Sequence, residues 1–241
     1  METNEINDNI KLNSINEISK SICKIIIGDS NSTGFFLKIQ YDLNPKYMLV
    51  TAHHVIPYPL VEDNKTIEII TDIDNKKQEI ILDSIKRKIY CLKNHDITAI
   101  QILNEDNLLN KVKFLVFDKN CETIQYKKYL NNEVFISHHP NNNELKFNRG
   151  RIIKVKYPKE FEFEHNLSTN AGSSGSPILI FEKPNEEPKV IGVHTSTIEG
   201  ENNNIGTFIN VLIEAIIDKK FYKNHLYIGI NKNSTLYFKP I

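Results

Sequence analysis

Cysteine is scarce in this 241-residue chain: there are three, Cys23, Cys91 and Cys121. They cannot all pair with one another, and no CxxC or Cys/His ligand spacing occurs. Neither a disulfide framework nor a zinc site is expected. A reducing, intracellular compartment is the simplest reading. An excess of charge is lacking too. Lys+Arg and Asp+Glu each number 30, for a formal net charge of +0. That balance argues against phosphate backbones or anionic membranes as main partners. No run approaches the roughly 18 apolar residues that cross a bilayer. The polar start lacks the succession of a basic opening, an apolar run and a small-residue cleavage site, so no secretory signal is expected. Arginine is limited to Arg87, Arg149 and Arg151. With abundant Asn and Ile, this reads as a coding bias without functional weight. EF-hand and P-loop patterns are missing, so no metal or organic cofactor is expected. No repeat of solenoid type is visible.

What remains is the composition of a folded protein, with 40% hydrophobic and 25% charged residues. The length fits one large domain or two small ones sharing a core. After a polar lead-in over 1–20, the chain is a series of short runs rich in Ile, Val, Phe and Tyr. Clusters of Asn, Asp, Gly and Pro separate them. Strands are predicted over 23–28, 34–40, 47–51, 66–71, 79–82, 97–103, 113–117, 133–137, 151–157, 177–181, 190–194 and 206–210. Residues 211–220 carry apolar positions at helical spacing and end in lysines, as a helix C-terminus prefers. Residues 226–237 read as one or two further strands. The fold class is therefore all-β, a sandwich or barrel.

Three motifs carry chemistry. In the first, a β run ends in Thr51-Ala52 and is followed at once by His53-His54-Val55. In the second, Asp96 stands at the mouth of the apolar stretch Ile97–Ile100. In the third, the turn Gly172-Ser173-Ser174-Gly175-Ser176-Pro177 presents serine just before a buried strand. Its glycines permit backbone conformations closed to other residues.

In the order His, Asp, Ser on an all-β background, these motifs resemble the chymotrypsin-like (trypsin-fold) serine proteases. Thr51–Val55 matches the T-A-x-H-V box, and Gly172–Pro177 matches G-x-S-G-x-P. Ser32-Thr33-Gly34-Phe35 resembles the strand that precedes the histidine box. Ser137-His138-His139-Pro140 with Gly150–Ile153 resembles a pair of motifs early in the second barrel. The resemblance spans roughly residues 20–220 and implies two six-stranded antiparallel β-barrels closed by a C-terminal helix. The implied division is a polar extension over 1–20, a first barrel over 21–125, a second barrel with its helix over 126–220, and a C-terminal extension over 221–241. It implies a hydrolase of the serine endopeptidase type. Ser174 would be the nucleophile, His54 the base and Asp96 its orienting acid. The backbone N–H groups of Gly172 and Ser174 would form the oxyanion hole. His54 rather than His53 has the Thr-Ala-x-His spacing.

Departures from the family narrow the reading. Ser173 stands where digestive proteases carry the aspartate that pairs with a newly cut N-terminus, so that activation switch is not expected. Val55 replaces a half-cystine. In both respects the chain resembles bacterial glutamyl endopeptidases and HtrA-type enzymes more than digestive ones. Ser168 replaces the trypsin aspartate that attracts Lys and Arg. Thr169 and His194 stand where glutamyl endopeptidases bind the substrate carboxylate, which implies a preference for Glu, Gln or Asp before the cleaved bond. Thr195, Ser196 and Thr197 would form the strand edge that takes up extended substrate, although glycines occupy part of that edge in those enzymes. The expected partner is a protein or peptide substrate, with no nucleic acid and no membrane. The alternative is a catalytically weak or inactive binding or scaffold protein on the same fold.

Overall fold

The computed structural model describes residues 14–217, apart from 41–42, 123–125, 143, 157–160 and 184–185, together with 227–228. The lead-in before residue 14, the expected helix end at 218–220, most of the tail strands and the side chain of Cys121 lie outside the described residues.

Residues 14–19 are helical (α1). Seven strands of the first half follow: β1 (Ile22–Ile27), β2 (Ser30–Ile39), β3 (Lys46–Thr51), β4 (Thr66–Thr71), β5 (Lys77–Ile81), β6 (Ile89–Leu92) and β7 (Ile97–Gln101). A short helix, α2 (Tyr58–Glu62), lies between β3 and β4. The sheet order is β5-β4-β1-β2-β3-β7-β6, every pair antiparallel. β2 makes the sheet curl. Its first part, Ser30–Phe35, pairs with β1, and Phe35–Ile39 pairs with β3. Gly34 sits at this bend, where a Cβ would lie 2.6 Å from Ile25 Cδ1.

The second half holds β8 (Val116–Phe117), β9 (Glu133–His138), β10 (Lys146–Val155), β11 (Glu162–His165), β12 (Pro177–Ile180), β13 (Lys189–Thr197) and β14 (Asn204–Phe208). The order β12-β9-β10-β11-β14-β13 closes on itself through the β12–β13 pairing, a six-stranded antiparallel barrel. The fold is thus the expected double-barrel one, with the second barrel closed and the first a curled sheet. β8 adds in parallel to β13, ahead of the division expected at residue 125. The helix α3 (Asn210–Ile217) buries Val211, Leu212, Ile213, Ala215 and Ile216 and contacts β6 of the first half. A last pair, β15 (Tyr227–Ile228), joins β6.

Core packing explains why some strands alternate and others do not. β4 alternates, with Ile67, Ile69 and Thr71 inward and its other residues less buried. β2 buries Gly34–Leu37 continuously because both of its faces are covered. Phe36 joins the core of the first half with Ile25, Leu49 and Ile69. Phe35 and Leu37 join the other core, with Val134, Phe163 and Phe208. The two halves are therefore welded by one shared apolar layer. Burying one such phenylalanine is worth about 1.5–3 kcal/mol. Cys23 and Cys91 are free thiols, and both are buried in the first core.

Candidate active site

The pairing of β3 with β7 sets Thr51 opposite Thr98. Asp96, two residues before Thr98, thereby meets the chain just past the end of β3. It closes the 3-10 turn Lys93–His95 in the left-handed region, at φ 50° and ψ 44°. Its carbonyl accepts the His53 N–H at 3.0 Å. Its carboxylate holds His54 twice. Oδ1 accepts the His54 backbone N–H at 2.8 Å, and Oδ2 lies 2.7 Å from Nδ1. The imidazole is fixed with Nδ1–H toward Asp96 and Nε2 as the free acceptor. The Asp96 hydrogen bond, helped by its charge and opposed by burial, raises the His54 pKa above its ordinary value. His53 has a different setting. It is 7% exposed, and its Nδ1 lies 3.0 Å from Thr98 Oγ1, whose proton goes to the Ile56 carbonyl. Burial lowers its pKa, so it is a neutral strut in the first core.

Ser174 belongs to a turn pressed against the same strand ends. Thr33 of β2 donates its N–H to the Ser174 carbonyl at 3.1 Å. Gly175 has φ +86°, and a Cβ there would collide with Thr51 Oγ1 and the Thr33 carbonyl. The turn that carries Ser174 therefore packs directly on the Thr51-Ala52 end of β3, which leads into His54. The first two sequence motifs meet through direct hydrogen bonds, and the third joins them through backbone packing across the seam. The Gly175 N–H donates to the His194 carbonyl at 2.9 Å, tying the turn to β13 as well.

The peptide ahead of Gly172 has a defined direction. The Ala171 carbonyl accepts the Asn141 N–H at 2.6 Å. In a trans peptide the N–H points opposite to the carbonyl, so the Gly172 N–H faces away from Asn141. Thr33 Oγ1 donates to the Gly172 carbonyl at 2.8 Å and itself accepts the His139 N–H at 3.0 Å. Gly172 itself has φ +89°, and a Cβ would lie 2.6 Å from the His139 carbonyl. Neither the Gly172 nor the Ser174 N–H has a hydrogen-bond partner among the described residues.

Beside His54 a cleft of about 450 Å³ is lined by Asn31, His54, Val55, Pro57 and Leu60. β13 meets the Ser174 turn through the Gly175–His194 hydrogen bond. His194 is 3% exposed, lies edge-on to His165 with ring centroids 5.4 Å apart, and has a buried Nδ1 without a partner. Burial pushes its pKa down to about 4, so the ring is neutral near pH 7. Thr169 is tied to Asn204. Its hydroxyl donates to Asn204 Oδ1 at 2.8 Å, while Asn204 Nδ2 donates to the Leu167 carbonyl at 2.7 Å. Thr169 thus presents lone pairs rather than a proton. Thr195 is a bulge residue whose Oγ1 donates to the Ile205 carbonyl at 3.2 Å. Ser196 and Thr197 are exposed and pair with β14 on one edge; no strand pairs with their other edge among the described residues. Sequence reasoning missed Thr33 and Asn204, which hold the Gly172 carbonyl and Thr169, and His138 and Asn148, which hydrogen-bond to each other and, through His138, to Ser173. Only the S-T-G-F and S-H-H-P matches brought two of them to notice. Among the described residues no group of His, Cys, Asp and Glu is arranged to hold a metal ion, and no helix is long and apolar enough to cross a membrane.

No protein-family model matches the chain, and no curated protein matches its sequence. Solved structures do match. The Rv3671c protease of Mycobacterium tuberculosis, in its inactive form, aligns with TM-score 0.59 at 14% identity over 85% of this chain and 92% of its own. A serine endoprotease from Yersinia pestis aligns with TM-score 0.58 at 13% identity, over 84% of this chain and 64% of its own. Deg5 aligns with TM-score 0.57 at 17% identity, over 86% of this chain and 92% of its own. The likeness at these identities is one of fold: the chain has the double-barrel trypsin fold of these proteases.

Proposed function

We propose that this trypsin-fold chain is a serine endopeptidase, with Ser174 as nucleophile, His54 as general base and Asp96 as its orienting acid. The reading is carried by one observation: Asp96 accepts two hydrogen bonds from His54, which leaves Nε2 as the imidazole's acceptor, and the Ser174 turn packs on the Thr51-Ala52 strand end that leads into His54. A serine hydroxyl needs such a base at neutral pH. His54 takes the Ser174 proton as Oγ attacks the peptide carbonyl, then returns it to the leaving amine. The developing oxyanion sits at the unpartnered N–H groups of Gly172 and Ser174. Extended substrate adds to the unpaired edge of Thr195–Thr197. The names of the structural neighbours, all serine proteases or relatives of them in fold, support the same reaction class.

The finer reading is a preference for Glu, Gln or Asp before the cleaved bond. It rests on His194, a buried neutral imidazole with one unpartnered nitrogen. An entering carboxylate favours the charged ring and draws its pKa back up. Thr169 gives its hydroxyl proton to Asn204, so His194 carries the donor role in this reading. A fluorophosphonate probe tests the mechanism: it labels the wild type at Ser174 and leaves Ser174→Ala unlabelled. A wild type that resists the probe speaks for the scaffold alternative. Peptides differing only before the cleaved bond test the pocket, and equal turnover after Glu and Ala rejects it.

A further inference from the structure

From the turn that carries Ser174 runs a polar chain, buried at Ser173 and His138 and reaching the surface at Asn148 and Ser168, that none of the three motifs explains. Asn148 Nδ2 donates to the Ser168 carbonyl at 2.8 Å and lies 3.0 Å from His138 Nε2. His138 Nδ1 lies 2.6 Å from Ser173 Oγ, and Ser173 Oγ also accepts the Asn170 N–H at 3.0 Å. His138 and Ser173 are both 0% exposed. The proton positions follow from the ends of the chain. The Ser168 carbonyl can only accept, so the Asn148 amide must turn its NH2 that way. That NH2 then faces His138 Nε2, which must be the acceptor. Nδ1 therefore carries the proton and donates it to Ser173. One tautomer satisfies every contact.

Ser173 is the joint of the turn. Its N–H donates to the Asn170 carbonyl at 3.0 Å, closing the bend that carries Gly172. Its carbonyl accepts from Ser176 N at 3.1 Å and Ser176 Oγ at 2.6 Å, closing the bend that carries Ser174. The two N–H groups that would meet the oxyanion lie on either side of Ser173. The residue is also the one that replaces the activating aspartate of digestive proteases. Here a neutral hydrogen bond within the second barrel occupies that position, and no ion pair with a cut terminus is needed.

We infer that His138 is a positioning residue: held by Asn148, it fixes Ser173 and so presets the Gly172 and Ser174 N–H groups in the resting protein. This rests on the peptidase reading above. The relay also links the turn to Ser168, six residues before the nucleophile, through Asn148. The neutral state it requires agrees with burial, which pushes the His138 pKa down to about 4.

The test compares the wild type with His138→Phe, Ser173→Ala and Asn148→Leu. Each is followed by fluorophosphonate labelling and by kcat and KM on labelled casein. Losing one oxyanion donor costs on the order of 100- to 1000-fold, and a misdirected turn loses part of that. The expected result for His138→Phe and Ser173→Ala is a roughly 10- to 100-fold slower labelling rate and kcat. KM stays within about threefold, and labelling still reaches the wild-type stoichiometry. Asn148→Leu gives a smaller loss of the same kind. A merely structural role lowers the labelled fraction and leaves the rate per labelled site unchanged, which overturns the inference. Should His138→Phe fail to fold, Ser173→Ala and Asn148→Leu decide. A wild type that labels, with these variants labelling equally fast, overturns this inference alone. A wild type that never labels overturns the peptidase reading, and this one with it.

Discussion

Replacing Asp96 by Asn isolates one proton. Asp96 occupies the left-handed region, which Asn tolerates at least as well, so the turn after Lys93–His95 survives the change. The amide orientation is then forced. The His54 backbone N–H, now 2.8 Å from Oδ1, can only donate, so the Asn carbonyl oxygen must remain there. The amide NH2 takes the Oδ2 position, 2.7 Å from Nδ1. Two donors cannot face each other, so Nδ1 loses its proton and Nε2 gains one. In the proposed triad the imidazole then points a hydrogen at Ser174 where the reaction needs a lone pair. A triad with its tautomer reversed this way loses about 10⁴-fold in kcat, or about 5.4 kcal/mol of transition-state stabilisation at 1.36 kcal/mol per decade. The pH profile changes as well. In the wild type Asp96 raises the His54 pKa, so activity falls as pH drops through a midpoint above 6.5. The variant lacks that carboxylate, and the midpoint of its residual activity moves down. The assay is kcat on labelled casein across pH, with active sites counted by fluorophosphonate. A loss under tenfold at neutral pH, in a variant that melts like the wild type, refutes the assigned roles of Asp96 and His54.

Three further outcomes are expected. Thr33→Val keeps the shape of β2 but strands the Gly172 carbonyl and the His139 N–H. Each unpaired buried group costs about 1–3 kcal/mol, so the melting temperature falls and kcat drops more than KM changes. Gly175→Ala meets both a positive φ and a collision with Thr51 and Thr33. Left-handed backbone costs roughly 1–2 kcal/mol and overpacking about 1–3. A combined loss of about 2–5 kcal/mol appears as a thermal midpoint roughly 4–20 °C lower. The melting temperature also falls in acid. Burial lowers the pKa of both His138 and His194 from 6.5 to about 4. Between those values the unfolded chain binds more protons, so stability is complete above about pH 6.5 and is lost as pH falls toward 4. A flat melting profile across that window contradicts the burial of these rings.

The fold was legible where a strand is long enough to alternate or to be bounded by turn residues. Residues 66–71 read directly as β4 because one face is core and the other is wetter. β6 escaped notice because its four residues are all buried and therefore carry no period. β11 escaped for the opposite reason: Glu162-Phe163-Glu164-His165 looks solvent-bound. Yet Phe163 and His165 are wholly buried, and Glu164 is covered beside Lys154. β10 begins at Lys146 rather than 151, since pairing with β9 overrides the weak local preference of Lys-Phe-Asn-Arg-Gly. Closure of the second barrel through β12 and β13 has no local signature, because strands so paired are each an ordinary apolar run.

The site divides along the same line. Groups that do chemistry must present particular atoms within a few residues of a fixed backbone, so they leave contiguous motifs such as Thr51-Ala52-His53-His54 and Gly172–Pro177. Groups that hold those atoms need only reach them in space, and their sequence neighbours carry no trace of it. Thr33, on a strand of the first half, grips the Gly172 carbonyl 139 positions away. His138 reaches Ser173 across 35 positions, and Asn204 meets Thr169 across 35. Such residues look like ordinary strand polar groups until the register is known. Their burial then makes them costly to lose. A hydrogen bond from one half to the Ser174 turn of the other works only if the halves stay in register to within a few tenths of an ångström. The shared apolar layer of Phe35, Leu37 and Phe163 maintains that register. Catalytic geometry at this seam is therefore a property of core packing: a cavity cut beneath Phe35, far from any reacting atom, slackens Thr33 and with it the turn that Ser174 rides on.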